Sequence, residues 1–297
     1  MILIAGGTGF LGPRIVRLLI SRGQAIRIIT RNPERAQHLR SERVEIVRGD
    51  VRDIGDVKRS MSGVSTVISA ISGFGMRGVN PRTVDWKGNS NLIRAAQAGG
   101  VEHFILVSIL GAARDHPVEL YRMKYLAEQE LTASRLAWTI IRPTISMETF
   151  ATLIGEPLLK TGRTRIFGSG ENPINFVSGQ DVARFVELAV TDPAMRGATV
   201  EVGGPENLTL KQFVQTFQVA TRKVGTASHI PLPMMRLMSV LMRPVNPSLA
   251  RQIQAAVIMD TTNMSFDSTE SHRRYPSVPL TSLAEVVKRD YVHDVRG

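Results

Sequence analysis

The sequence predicts an α/β fold, a doubly wound parallel sheet with a smaller, mostly helical, discontinuous C-terminal lobe, and three observations lead there. Short β-branched runs alternate with amphipathic segments through the first half of the chain. The runs are almost continuously apolar, as strands covered on both faces must be. Three glycines stand at a spacing of three where the first apolar run gives way to a helical pattern.

The strand-like runs are MILIA, AIRIIT, VEIVRG, TVISAI, HFILVS and WTIIRP, and amphipathic segments separate most of them. Such alternation places helices on both faces of a parallel sheet. VDWKGNSNLIRAAQAGG reads as a helix closed by Gly99 and Gly100, and YRMKYLAEQELTASR as another. From about residue 144 the pattern loosens. GRTRIFGSGENPINF, with its turn glycines, a proline and Asn172, suits a loop or short hairpin. SGQDVARFVELAV reads as a helix capped by Ser178, with Asp181 three places on, and ATVEVGG as a strand that rejoins the sheet. Thr209 is placed to cap LKQFVQTFQVA, and two apolar helical pieces, IPLPMMRLMSVLM and NPSLARQIQAAVIM, follow between prolines. These readings divide the chain into a sheet domain, 1–143 with 176–204, and a smaller substrate or partner lobe, 144–175 with 205–297.

Composition narrows the function. At 297 residues and 43% hydrophobic, the chain can bury one large core or a core plus a smaller lobe. It has no cysteine, so disulfides and thiolate metal sites are excluded and any redox chemistry needs a borrowed cofactor. His103, His116, His229 and His272 lie apart, and no metal site is expected. No G-x-S-x-G elbow argues for a hydrolase. The net charge of +11 raises the question of an anionic partner, but the arginines are scattered, which reads as a solvated basic surface rather than a nucleic-acid face. The first apolar residues enter the glycine segment without a basic leader, and no stretch approaches the ~20 apolar residues of a spanning helix. A cytoplasmic protein without a transmembrane segment is expected, with contact at a membrane surface left open.

Gly6, Gly9 and Gly12 in AGGTGFLG follow a strand and open a helix, the setting in which a glycine pattern becomes a dinucleotide fingerprint. Glycine permits a tight turn and close approach of another group, and a helix N-terminus offers free N–H groups to a pyrophosphate. A purely structural tight turn is the competing reading.

GGTGFLG, GDVRD at Gly49 to Asp53, DWKGNSNLIRAAQAGGVEHFILVS and IIRPT together resemble the atypical short-chain dehydrogenase/reductases, in particular the NmrA-like and isoflavone-reductase-like branch. The resemblance continues through NFVSGQDVARF and EVGGPENLTL. It implies a Rossmann fold that binds NAD or NADP, with Gly6, Thr8, Gly9, Phe10, Leu11, Gly12 and Arg14 at the glycine turn. It also implies Asp50 and Val51 near the adenine, Ala70 and Ile71 beside the ribose, and Lys124 and Pro143 on the cofactor. Ordinary strand-end packing accounts equally for Asp50, Ala70 and Ile71.

The end of the second strand carries Thr30, Arg31 and Asn32 where an NAD site usually holds an acid. A guanidinium matches a 2′-phosphate that a carboxylate would repel, so NADP(H) is expected over NAD(H). Arg14 and Arg35 are candidates for further charge or simple surface cations.

Short-chain dehydrogenases typically pair a tyrosine with a lysine four residues later, the lysine lowering the phenol's pKa. MKYLAEQEL resembles the family segment and puts Lys124 at the lysine position, but the tyrosine position holds Leu120. Tyr121 is turned by ~100° from it. The isoflavone-reductase-like branch resembles this arrangement and uses its lysine for acid/base work, which makes Lys124 the leading catalytic candidate. Holding the nicotinamide ribose, or pairing with Glu128 one turn away, is the alternative. Ser108, at the family's serine position, is a candidate for binding a substrate carbonyl or merely ends a strand. Met234, Met235, Met238 and Met242 fit core packing, the commonest use of such a stripe, or a pocket for a flat lipophilic ligand, or a membrane surface.

Two functions are therefore expected as alternatives. One is an NADP(H)-dependent reductase of a carbonyl, enone or quinone-like lipophilic acceptor. The other is a catalytically silent nucleotide-binding sensor, assembly factor or accessory subunit of a larger protein complex.

Overall fold

A computed structural model gives the structure, which describes residues 1–75 and 78–292. In chain order the first elements are β1 (Ile2–Ala5), α1 (Gly12–Ser21), β2 (Ile26–Thr30), β3 (Val44–Arg48), α2 (Ile54–Ser60) and β4 (Thr66–Ser69). They are followed by α3 (Lys87–Ala98), β5 (His103–Val107), α4 (Glu119–Thr132) and β6 (Ala137–Pro143). Next come β7 (Ile145–Ser146), α5 (Met147–Phe150), α6 (Glu156–Thr161), β8 (Arg163–Phe167), β9 (Ile174–Val177), α7 (Gly179–Thr191) and β10 (Ala198–Val202). The chain ends with β11 (Asn207–Leu208), α8 (Leu210–Thr221), β12 (Thr226–Ile230), α9 (Leu232–Leu241), α10 (Pro247–Thr261), α11 (Thr269–Arg274) and α12 (Leu283–Tyr291).

Two compact units form. One comprises Met1–Pro143 with Val182–Glu201, the other Thr144–Asp181 with the chain from Val202 onward. In the first, the described strands make a seven-stranded sheet in the order β10-β6-β5-β4-β1-β2-β3, with β1 to β6 pairing in parallel. Read from β3, this is the 3-2-1-4-5-6 order of the Rossmann fold with β10 added at the β6 edge. The apolar runs lie in the sheet as expected: Leu3, Val67 and Phe104 are wholly buried and pack with Leu92 of α3 and Leu131 of α4. Strand order reverses between β1 and β4, and there the carboxyl ends of the strands leave a crevice.

The second unit holds more strand than the sequence suggests. The stretch read as a loop or short hairpin contains β8 and β9, and these do not pair with each other. β8 runs parallel to β12, while β9 lies between β11 and β7. Gly168 and Gly170, at φ +69° and +68°, supply left-handed turns of the kind a hairpin also uses. Asp260 then fills the turn, accepting from Ser169 N, Ser169 Oγ and Gly170 N at 3.0 Å each. Local turn signals are visible in sequence; partners some thirty to sixty residues away are not.

The caps behave as expected. Ser178 Oγ accepts from Gln180 N at 3.2 Å, and Thr209 and Gln212 form a reciprocal capping box on α8. Asp181 instead reaches Thr281, accepting from its N at 2.8 Å and its Oγ1 at 2.9 Å, which anchors the approach to α12. Phe150, Phe176 and Phe213 form the aromatic centre of this unit, with ring centroids 5.0–6.2 Å apart. Of the four methionines in α9 and its C-terminal turn, only Met235 is buried; Met242 is half-buried, and Met234 and Met238 are exposed.

Phe213→Ala is expected to lower stability by about 3–5 kcal/mol, the usual cost of emptying a fully buried aromatic site. Chemical denaturation followed by circular dichroism measures it.

Candidate functional site

The glycines after β1 are required by backbone contact. Gly6 has φ +90°, and a Cβ there would lie 2.4 Å from the Ala70 carbonyl oxygen beyond β4. A Cβ on Gly12 would lie 2.3 Å from the Gly6 oxygen. Gly9 differs, because its Cβ would meet only the Gly6 oxygen, at 3.3 Å. Two of the three glycines thus fold the turn, and the third keeps open the space before it. Leu11 occupies the N-cap of α1 with no side-chain hydrogen bond; Pro13 carries no N–H and Arg14 N donates to the Leu11 carbonyl at 3.1 Å, so the first turn's remaining amide is that of Gly12. These features fit a bound diphosphate.

The space continues into a cleft of 370 Å³ along the carboxyl ends of β1, β2, β3 and β4. Of the sequence-derived candidates it is lined by Gly6, Thr8, Gly9, Arg31, Arg35, Asp50, Val51, Ala70 and Ile71. Gly12, Phe10, Leu11, Arg14, Lys124, Pro143 and Ser108 are not among its lining residues. Gly12 is buried under the turn. Arg14 lies 4.3 Å from the Phe10 ring centroid and donates to the Phe10 carbonyl at 2.7 Å. The Pro143 carbonyl accepts from Leu110 N at 2.8 Å.

Three guanidinium groups, Arg31, Arg35 and Arg52, line the cleft against one carboxylate, Asp50. Arg52 grips Asp50 with both arms, Nε to Oδ1 at 3.0 Å and Nη2 to Oδ2 at 2.6 Å. That bidentate pair, aided by Arg31, holds the Asp50 carboxyl below the usual range. The cleft therefore keeps an excess of positive charge. Arg52 was not singled out by its position in GDVRD, where it looks like one more surface arginine.

Lys124 sits in the most tightly bound polar cluster of this unit. Its Nζ donates to the carbonyls of Ile71 at 2.9 Å and Val107 at 3.0 Å, and lies 3.2 Å from Asp85 Oδ1. Two of the ammonium's N–H bonds thus go to main-chain carbonyls, and Asp85 Oδ1, which accepts no hydrogen bond among the described residues, faces the ammonium at ion-pair distance. The expected alternative pairing with Glu128 does not form, because Glu128 is taken by Arg142 at 2.7 Å. Asp85 is wholly buried; burial pushes its carboxyl up, against the opposing pull of Lys124 and of the Gly73 amide, which donates to Oδ2 at 2.8 Å. Asn89 extends the cluster, donating to the Asp85 carbonyl at 2.6 Å and accepting from Ser69 Oγ at 2.5 Å. The sequence analysis missed Asp85 and Asn89. Their one signal is a spacing of four that puts both on the same helix face, and the polar neighbours Lys87, Ser90 and Asn91 mask it.

Asp85 is presented by an irregularity. Residues Arg82–Trp86, just before α3, form a π-turn in which Lys87 N donates to the carbonyl of Arg82, five residues back. Such turns occur often at functional sites.

The other candidates carry little free chemistry. Leu120 holds the place of the usual tyrosine. Tyr121 is buried and stacked on His116 with centroids 3.9 Å apart, and burial pushes its phenol up to about 12. Ser108 N donates to Ile141 O at 2.7 Å, and its buried Oγ has no partner among the described residues.

A family profile described as NAD(P)H-binding matches residues 6–193. Among known proteins, the photosystem II assembly factor Ycf39 of Synechocystis is 29% identical over 80% of this chain and 72% of its own. The NAD(P)H azoreductase of Xenophilus azovorans is 28% identical over 70% of this chain and 69% of its own. Among solved structures, the Escherichia coli NADPH-dependent quinone oxidoreductase with NADPH superposes with a TM-score of 0.78 at 23% identity, covering 97% of this chain and 99% of that one. The Citrobacter triphenylmethane reductase with NADP(H) superposes with the same score at 18% identity, over 97% and 99%.

Gly9→Ala and Gly12→Ala are expected to separate folding from binding. Gly12→Ala forces a methyl group into backbone and costs about 1–3 kcal/mol of stability in urea unfolding. Gly9→Ala leaves stability nearly unchanged but weakens nicotinamide-dinucleotide binding in calorimetry. Asp85→Leu, which strands the buried ammonium, lowers stability by about 3–5 kcal/mol. Combined with Lys124→Met, it costs less than the sum of the single changes.

Proposed function

The chain belongs to the NAD(P)H-binding family, and from that membership we propose that it is an NADP(H)-dependent reductase of a lipophilic acceptor of the carbonyl, enone or quinone-like class. The observation that carries the cofactor preference is the cleft charge, with Arg31 and Arg35 left over once Arg52 has paired with Asp50. A 2′-phosphate adds negative charge where guanidinium groups await it. Arg31, at the end of β2, is the residue we assign to that phosphate.

The bound dinucleotide supplies a hydride. On this reading Lys124 is a positioning residue, since its buried ammonium holds the ends of β4 and β5 by two hydrogen bonds and pairs in charge with the Asp85 carboxylate. No proton donor is then offered by Lys124 or by Tyr121, whose phenol is raised by burial. That favours the quinone-like class. A quinone that accepts a hydride becomes a phenolate-type anion stable in water, and it takes its proton from solvent without help from a side chain. A simple carbonyl would form a strongly basic alkoxide and would need an acid beside it. The unpartnered Ser108 Oγ is the group we assign to an acceptor oxygen. The names of two similar proteins, an azoreductase and a quinone oxidoreductase, support a conjugated acceptor.

The same lack of a free acid favours a second reading, a nucleotide-bound assembly factor or accessory subunit. The name of the Synechocystis relative supports it. The specific compartment, proposed as cytoplasmic, follows only from the sequence reading.

Incubation of the purified chain with NADPH and a panel of quinones, enones and simple ketones, followed by loss of reduced-nicotinamide absorbance, separates the readings. Turnover is expected with quinones and not with ketones. Tight NADPH binding without turnover on any acceptor selects the accessory role, and no dinucleotide binding defeats both. Arg31→Ala is expected to weaken NADPH by about 10- to 100-fold, the worth of a charged hydrogen bond, and NADH far less. Equal losses would refute the assignment.

A further inference from the structure

The exposed face of α9 is unusual for a protein surface. Met234, Leu237, Met238 and Leu241 recur at the spacing of one helical face and are 45%, 60%, 37% and 57% exposed. Val240 widens the stripe and Val245 extends it past the end of the helix, both more than half exposed. α9 is held down mainly through Met235, its one buried residue. In its neighbour α10 the buried residues are Ser248 and Ala250, while Leu249 between them is exposed. Contiguous apolar surface of this kind marks a contact with something.

Charge decides with what. From Asn207 to Met259 the sequence contains no aspartate or glutamate, but six cations: Lys211, Arg222, Lys223, Arg236, Arg243 and Arg251. Two of them frame the stripe. At ~100° per residue Arg236 falls at the edge of the exposed arc of α9, and Arg243 stands in the turn just beyond. Both are exposed. An exposed apolar stripe bordered by arginines with no acid partner among the described residues matches a layer with phosphates outside and acyl chains beneath.

We propose that α9 and the turn after it dock this protein on an anionic lipid bilayer, the stripe entering the headgroup boundary and Arg236 and Arg243 meeting lipid phosphates. The helix lies along the surface rather than crossing it. Its ten residues span ~15 Å against a hydrocarbon core of ~30 Å, and no described helix is long and apolar enough to cross. A second copy of the chain fits the same face poorly. A twofold contact would set this basic segment against its own copy with no acid from either segment to pair with Arg236 and Arg243. An ordinary protein interface would be expected to use aromatic anchors, and Pro231 to Met259 contains none.

The test is co-sedimentation of the full chain with sucrose-loaded vesicles of phosphatidylcholine alone and of phosphatidylcholine with phosphatidylglycerol. Light scattering of the free protein is recorded in parallel. Binding to the phosphatidylglycerol vesicles is expected, weaker on phosphatidylcholine and falling as salt is raised. L237E/L241E, at exposed positions, should lower vesicle partitioning roughly tenfold or more while circular dichroism and NADPH affinity stay unchanged. R236Q/R243Q should remove the preference for phosphatidylglycerol. Failure of the folded protein to bind phosphatidylglycerol vesicles overturns the proposal, as does binding that L237E/L241E leaves intact. A dimer in light scattering that L237E/L241E dissolves would also overturn it, by giving the stripe to a second copy.

Discussion

Everything at the nucleotide end rests on a backbone contact too close for any side chain. Gly6 meets the Ala70 carbonyl and Gly12 meets Gly6, so the segments after β1 and β4 and the start of α1 touch through main-chain atoms. That contact sets where the first turn of α1 points. It also leaves Gly9 standing over open space, which converts a tight turn into a place where an anion rests. The arginines at the ends of β2 and β3 acquire a purpose only because that turn has aimed the cleft along them.

A second tie acts deeper in the same unit. The Lys124 ammonium spans the carbonyl ends of β4 and β5 and reaches Asp85 in the π-turn before α3, so one side chain of α4 fastens two strands and a second helix. Burying two charges is costly, and such a pair is rarely kept for stability alone. Here it holds Ile71, which lines the cleft, by its carbonyl, and Gly73, two residues further on, by its amide. Rigid placement of that wall suits a site that must orient a cofactor, whatever is then done with its hydride.

Legibility followed sequence distance. The seven sheet strands, the glycine turn and the arginine after β2 were readable because each is encoded within a few residues. The strands β8 and β9 were not, since their pairing partners lie far along the chain and their own turn glycines mimic a hairpin. Lys124 was found by resemblance, yet its partner Asp85 is thirty-nine positions away and the nearer Glu128 offered a false pairing that Arg142 pre-empts. Arg52 was hidden for another reason: an arginine two residues from an aspartate is common, and only the cleft shows that it tempers Asp50. On α9 the apolar residues run almost around the helix, so periodicity gave no way to tell that Met235 faces inward while Met234 and Met238 face out.

The π-turn at Arg82–Trp86 makes segment length as binding as residue identity. Removing one residue there would let an ordinary α-turn form and rotate everything upstream by ~100° relative to α3, carrying the carboxylate away from its amine without changing either. Among relatives, a one-residue gap in an alignment at this point would thus mark a rewired pocket wall even where both charged residues are retained.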